Sequence, residues 1–264
     1  MLRRLDSELV RRGLVPSRTE ARAAIQTGLV TAGGRRVSKP STLVGSDEAL
    51  NLAGEARRFV SRGGEKLDAA LDRFGLRVEG FDCLDAGAST GGFTDCLLAR
   101  GAARVAAIDV GYGQLAWSLR QDERVTVRER TNVRNLRRDD LPFVPNLIVA
   151  DLSFISLTKV IPTLVSLASG ESGFVVLVKP QFEAGPDEVG KGGVVRDPQI
   201  WANSIRAVEE SFRVHGVFAE GVVASALKGP AGNVEFFLQA RPGGDGLLDL
   251  DDALEEARAI GGVQ

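Results

Sequence analysis

The sequence is poor in the residues that staple small secreted proteins and build metal sites. It has two cysteines, Cys83 and Cys96, in 264 residues. Two cannot make a disulfide framework, so a packed core has to carry stability, and a reducing cytosol is the expected compartment. A single histidine, His215, and two separated cysteines form no ligand cluster, so no metal is expected. The first residues, Met-Leu-Arg-Arg-Leu-Asp, lack the apolar stretch of a signal peptide, and none is expected. Long hydrophobic runs are missing too. The longest, residues 160–178, is broken by Pro162, Gly170, Glu171 and Gly173. It reads as helix, turn and strand, and no membrane partner is expected. Internal repeats and low-complexity segments are also lacking. What is present is a chain with 44% hydrophobic residues, long enough for one large domain and one small one.

The net charge of -2 hides an imbalance. Residues 1–60 carry eleven Lys and Arg against six Asp and Glu, whereas residues 61–264 carry twenty-two against twenty-nine. A basic head on an acidic body points to a polyanion as the head's partner; the plain alternative is a solvated charged face.

Leu2, Leu5, Leu9 and Val10 at helical spacing predict a first helix within residues 2–13, stopped by Gly13. Ser17-Arg18-Thr19-Glu20 is a capping box that starts a second helix, with Ala21, Ala24 and Ile25 on its apolar face and Gly28 at its end. Leu29-Val30-Thr31 and Arg36-Val37 flank Ala32-Gly33-Gly34-Arg35, a hairpin signal. This stretch resembles the small RNA-binding domain shared by a ribosomal small-subunit protein, pseudouridine synthases and tyrosyl-tRNA synthetases. The residues that carry the likeness are Arg4-Leu5-Asp6, Gly13-Leu14, Ser17-Arg18, Ala21, Ile25, Gly28-Leu29-Val30 and Lys39-Pro40. The resemblance implies RNA contacts at Arg3, Arg4, Arg18, Arg22, Arg36 and Lys39, each of which could instead be a solvated surface charge. The small domain is expected over residues 1–56, a linker over 57–60 and the large domain over 61–264.

Beyond the linker, strand and helix patterns alternate, which predicts a mostly parallel sheet with helices on both faces. Residues 83–94, Cys-Leu-Asp-Ala-Gly-Ala-Ser-Thr-Gly-Gly-Phe-Thr, follow a strand and open a helix. Glycines there let the backbone approach a ligand closely. The spacing is not that of a dinucleotide site, and Asp85 would repel a pyrophosphate. A cationic ligand suits it better, such as the amino group and sulfonium of S-adenosylmethionine. Asp109 ends the next strand, where it suits ribose hydroxyls. Gly87, Ser89, Thr90, Gly91 and Gly92 complete the expected cofactor turn. Asn132 could edge an adenine pocket or cap its own loop.

Lys66, Asp151, Lys179 and Glu235 sit at element ends in the large domain, and ligands of such sheets bind at the carboxyl ends of the strands. A structural Lys–Asp pair is the plain alternative. The motifs Ser61-Arg62-Gly63-Gly64-Glu65-Lys66-Leu67, Asp109-Val110-Gly111-Tyr112-Gly113-Gln114-Leu115, Ala150-Asp151-Leu152-Ser153-Phe154-Ile155-Ser156, Lys179-Pro180-Gln181-Phe182-Glu183 and Gly232-Asn233-Val234-Glu235 join the glycine-rich turn. Together they resemble the TlyA family of ribosomal RNA cytidine 2′-O-methyltransferases, whose catalytic domain is of the FtsJ type. The resemblance covers almost the whole chain. It implies a Rossmann-like class I methyltransferase domain after a small α+β RNA-binding domain, with S-adenosylmethionine as cofactor. It also implies ribosomal RNA or ribosomal subunits as partner and a catalytic tetrad at Lys66, Asp151, Lys179 and Glu235. A cytidine in 23S RNA, and in some members one in 16S RNA, is the family's target. A 2′-hydroxyl is a poor nucleophile until its proton leaves, so a base is needed. Lys179 is read as that base, Asp151 as its orienting partner, and Lys66 and Glu235 as the frame for the ribose. A monomer is expected.

Two rivals remain. Gly87-Ala88-Ser89-Thr90-Gly91 fits the nucleophile elbow of hydrolases, with His215 later in the chain. The elbow normally follows several strands, and His215 sits where it would cap a helix end. The other rival is a non-catalytic RNA-binding or haemolysin-like protein, for which no spanning segment is legible.

Overall fold

The computed structural model describes residues 2–15, 17–52, 58–190, 192–244, 246 and 248–263. The chain forms two compact units, residues 1–58 and 59–264.

The first unit opens with strand β1 (Arg3–Arg4) and helix α1 (Leu5–Arg11). The helix is shorter than its periodicity predicts, because Arg3 and Arg4 pair antiparallel with β4 (Leu43–Val44) and Leu2 stays exposed. Helix α2 (Arg18–Gln26) starts where the capping residues place it: the Ser17 hydroxyl accepts the Glu20 N–H at 3.2 Å. The hairpin β2 (Val30–Ala32) and β3 (Arg35–Arg36) turns at Gly33 and Gly34, both with positive φ, and β5 (Leu50–Leu52) pairs with β2 from the other side. Leu5, Leu9, Ala21, Ile25, Val30 and Val44 make this unit's core.

Residues 53–57 lie outside the described residues, so only part of the expected linker is visible. Phe59 is buried in the core of the second unit, and the Val60 N–H donates to Asp95 at 2.7 Å. A phenylalanine has too much apolar surface to remain in a solvated tether.

The second unit starts with α3 (Arg62–Arg73), whose element the sequence does not reveal because Gly63 and Gly64 look like breakers. The Ser61 hydroxyl caps it, accepting the Gly63 N–H at 3.3 Å. Then follow β6 (Asp82–Ala86), α4 (Gly92–Ala99), β7 (Arg104–Ile108), α5 (Trp117–Arg120), β8 (Val125–Arg128), β9 (Leu147–Ala150), α6 (Ile161–Leu167), β10 (Gly173–Val178), α7 (Pro180–Glu183), α8 (Pro198–Arg213), β11 (Val217–Ala224), β12 (Phe236–Pro242) and α9 (Asp251–Gly261). The helix expected within residues 160–178 is α6, preceded by a 3-10 turn (Leu157–Lys159), with Pro162 in the first turn of α6, where a missing N–H costs nothing.

The seven strands lie in the order β11-β12-β10-β9-β6-β7-β8. The pairs β10–β9, β9–β6, β6–β7 and β7–β8 are parallel, and β12 runs antiparallel between β10 and β11. The mostly parallel sheet expected from the alternation is therefore present. Its inner strands are apolar on both faces, as a sheet covered on both sides requires: Leu147, Ile148, Val149 and Ala150 of β9 are all buried. One core lies under α6, α8 and α9, and the other under α3 and α4. The order in which successive strands are added reverses between β6 and β9: β7 and β8 lie on one side of β6, and β9 and β10 on the other. That switch point is where an open α/β sheet leaves a crevice at its carboxyl edge.

Candidate active site

Strand register brings three of the four polar residues, Asp151, Lys179 and Glu235, to the carboxyl edge of the parallel strands. Ala86 of β6 lies beside Ala150 of β9, so Gly87 and Asp151 leave the sheet side by side. Val178 of β10 pairs with Phe236 of β12, which sets Lys179 across from Glu235 one step further on. Lys66 comes from elsewhere. Helix α3 runs antiparallel to the strand it precedes, so its first turns lie at the carboxyl edge of the sheet. Contrary to expectation, Lys66 is inside an element and not at its end.

The result is two ion pairs. Lys66 Nζ donates to Glu235 Oε2 at 2.6 Å, with both side chains almost fully buried. Lys179 Nζ lies 2.6 Å from Asp151 Oδ1 and donates to the Ser153 hydroxyl at 2.9 Å. The Asp151 contact is a charge contact without hydrogen-bond alignment. Ser153 was missed by the sequence reading, although it lies in the same motif; nothing local says that its hydroxyl faces a lysine 26 residues on. The loop holding it is tied to α7 by Glu183, which accepts the Ser156 hydroxyl at 2.5 Å and the Leu157 N–H at 2.8 Å. Phe154 was missed too. It is 92% exposed at a positive φ of 64°, with its ring 5.3 Å from that of Phe182. The Phe182 ring in turn lies 5.9 Å from Lys179 Nζ.

The glycine-rich turn lies at the switch point. Its glycines serve the protein's own packing more than the open side. A Cβ on Gly87 would come 2.4 Å from the Asp151 carbonyl oxygen. One on Gly92 would come 2.1 Å from Ser61 Oγ, and one on Gly91 would strike Leu119. The turn is thus pressed against β9, α3 and α5 at once. Ser89 has a φ of 48°, and both it and Thr90 are exposed.

Asp85 is fully buried beneath the turn and not open at the strand's end as its position suggests. Its Oδ2 accepts the Thr94 hydroxyl at 2.6 Å, and its Oδ1 has no hydrogen-bond partner. Burial pushes this carboxyl up, the Thr94 bond pulls it back, and repulsion from Asp151 and Asp109 adds to the rise, to about 7. Asp109 is half-buried just after β7. Its carboxylate accepts the N–H groups of Ser89 at 2.8 Å and Gly111 at 2.6 Å, which leaves lone pairs for an outside donor. Asn132 takes the capping role of its two readings, accepting the Arg134 N–H at 3.1 Å.

Three carboxylates therefore gather at the carboxyl ends of β6, β7 and β9, and Asp151 and Asp109 are close enough to raise Asp85. That field repels phosphate and favours a cation. The hydrolase reading does not survive this geometry. His215 lies between α8 and β11, at the amino end of a strand parallel to β6, and so at the opposite edge of the sheet from Ser89. The Ser89 hydroxyl instead lies 3.5 Å from Gln114. Among the described residues, no helix is long and apolar enough to cross a membrane. No cluster of His, Cys, Asp or Glu among them could hold a metal ion.

The family profile described as FtsJ-like methyltransferase matches residues 59–241, and the S4 domain profile matches residues 3–50. A relative from Mycobacterium tuberculosis named 16S/23S rRNA (cytidine-2′-O)-methyltransferase TlyA is 52% identical, over 98% of each chain. Hemolysin A of Brachyspira hyodysenteriae is 38% identical over 88% of this chain and 97% of its own. A solved structure from Streptococcus thermophilus, also given a hemolysin designation, superposes with a TM-score of 0.76 at 37% identity, covering 99% of this chain and 96% of its own.

Proposed function

This chain belongs to the FtsJ-like methyltransferase family, with an S4 domain ahead of the catalytic one, and from that premise we propose that it transfers a methyl group from S-adenosylmethionine to the ribose 2′-hydroxyl of a cytidine in ribosomal RNA. Both 23S and 16S RNA are candidate substrates, as in the name of the mycobacterial relative. The observation that carries the reading is the Lys179–Asp151 contact of 2.6 Å, set at the switch point beside a turn whose field favours a cation.

The residues present fit such a cofactor. The field of buried Asp85, with its unpartnered oxygen, suits a sulfonium and an ammonium, and Asp109 has acceptor capacity for ribose hydroxyls. Gly87, Ser89, Thr90, Gly91 and Gly92 shape the wall between them, and Asn132 follows Thr131, whose N–H donates to the Asp109 carbonyl at 2.9 Å. When bound, the cofactor supplies an electrophilic methyl group on a sulfonium. Lys179 takes the proton of the 2′-hydroxyl, and Asp151 and Ser153 aim its amine. Lys66 and Glu235 hold each other and frame the ribose. Phe154 offers an exposed ring on which an unstacked base can lie. Arg3, Arg4, Arg18, Arg22, Arg36 and Lys39 are all exposed on the first unit, as phosphate contacts need to be. The reading carries with it a monomer that acts in the cytosol, where ribosomal RNA is found.

The test is to incubate the protein with methyl-labelled S-adenosylmethionine and separated ribosomal subunits, then map the label. A cytidine 2′-O-methyl group is the expected product. Label on a base, or none on either subunit's RNA, would contradict the reading.

A further inference from the structure

The arginines of the first unit are gathered around two buried carboxylates. Asp6 is completely enclosed, yet three arginines reach it. Arg4 grips it with a fork, Nε to Oδ1 at 3.0 Å and Nη2 to Oδ2 at 2.9 Å. Arg18 Nη2 donates to Oδ2 at 3.1 Å, and Arg22 Nε to the same oxygen at 3.4 Å. The Ser7 hydroxyl adds a bond at 3.3 Å. The three arginines come from β1 and from the first and second turns of α2, and their side chains remain 44%, 54% and 54% exposed. Glu8 repeats the pattern with Arg11 and Arg12, with Arg3 at 3.9 Å. Arg12 differs, because its guanidinium also donates to the carbonyls of Gly45, Ser46 and Glu48 and so ties the fold.

One carboxylate cannot neutralise three guanidinium groups, so the Asp6 cluster keeps an excess of two positive charges. Each guanidinium has five N–H donors, and Asp6 occupies one or two of each. The rest are left for an outside acceptor. Without the carboxylate, three like charges on long side chains would repel and spread over many rotamers, and a ligand would have to order them itself.

We propose that Asp6 is a positioning residue for RNA: it gathers the guanidinium groups of Arg4, Arg18 and Arg22 into one preorganised face for backbone phosphates. The inference rests on the RNA-binding reading above. It makes a prediction opposite in sign to charge counting. Removing a negative charge from a polyanion-binding face should tighten binding if only net charge matters. Positioning requires that binding weaken.

The experiment uses the full chain and deproteinised 23S ribosomal RNA over a range of salt. Asp6→Asn should weaken RNA binding by about tenfold. It should also make the salt dependence shallower by about one ion, as a phosphate contact is lost despite the extra positive charge. Melting of the first unit and affinity for S-adenosylmethionine are followed alongside, and the latter should not change. Equal or tighter RNA binding by a folded Asp6→Asn protein would overturn the inference. If that variant melts the unit, the combined Arg4→Lys, Arg18→Lys and Arg22→Lys exchange decides, since it keeps every charge and loses the forked geometry. Weaker binding supports positioning, and unchanged binding refutes it. Arg18→Ala with Arg22→Ala separates the two levels. If their loss leaves RNA affinity intact, the RNA-binding reading itself fails; if it weakens binding while Asp6→Asn does not, only the positioning inference fails.

Discussion

Lys179 and Lys66 each lie 2.6 Å from a carboxylate, but the groups around them differ. Lys66 is closed off with Glu235, whereas Lys179 also reaches Ser153 and stands beside the Phe154–Phe182 ring pair. If Lys179 is the base, removal of the 2′-hydroxyl proton depends on its amine. Lys179→Ala should lose about 100-fold or more in methyl transfer while keeping cofactor and RNA affinity. Lys179→Arg should be no better, because a guanidinium cannot accept the proton. Single-turnover rates of the variants check this, and near-normal turnover by Lys179→Arg would leave only electrostatic positioning as its role. A second residue-scale prediction concerns Asp85. Its folded carboxyl is raised to about 7, so the folded state holds its proton more tightly than the unfolded chain does. That contribution to stability is complete below the unfolded value near 4 and is lost as pH rises through about 7. The melting temperature of the cofactor-free protein should therefore fall between pH 4 and pH 8, through a loss on the order of a few kcal/mol. Asp85→Asn should flatten that fall. A wild-type profile with no slope there would contradict the protonated carboxyl.

Among elements, the seam between α3 and α4 is the most exacting. A side chain on Gly92 would come 2.1 Å from Ser61 Oγ and 2.8 Å from the Gly64 nitrogen, so one helix start must yield to the other. Gly92→Ala should cost about 1–3 kcal/mol, typical of overpacking. Because α3 carries Lys66, the same shift should lower turnover of the protein that remains folded. Denaturant melts and rates measured on one preparation check both, and an unchanged melting midpoint would show that the seam has slack. The capping signal Ser17-x-x-Glu20, the Gly33-Gly34 hairpin and the strand–turn–helix at residues 82–99 were all legible in the sequence, since each is set by neighbours within a few residues. Helix α3 was not, because glycines that look like breakers are there to let two helix starts approach. The length of α1 was misread because β1 pairs with β4, a partner about forty residues away.

For the whole molecule, the charge division falls close to the structural one, with the excess of arginine in the first unit. If that unit holds RNA through phosphates, log affinity should fall linearly with log salt, losing about 0.7–0.9 per contact made. Three or more contacts would give a slope steeper than about -2. A salt-insensitive complex would sink the assignment. Acid should also loosen this unit. The Arg11 and Arg12 hydrogen bonds hold Glu8 down at about 2, and the arginines around Asp6 hold its carboxyl below the usual range. Their stabilisation is present above pH 4 and is lost as pH falls toward 2.

By itself the sequence determined the kinds of element, the glycine-rich turn between β6 and α4, the family and the basic character of the first unit. Periodicity, capping and turn chemistry act over a few residues, and motif strings carry the family resemblance, so both can be read along the chain. Only the tertiary structure decided how the polar residues pair: Lys66 with Glu235 across 169 residues, Lys179 with Asp151 and Ser153, and Asp6 with arginines from two elements. It also decided that Asp85 is sealed under the turn and that the turn's glycines accommodate the protein's own backbone and side chains. The reason is physical. An ion pair or a close approach depends on strand order, register and helix direction together, and those come from burying both faces of one sheet, which no local stretch of sequence specifies alone.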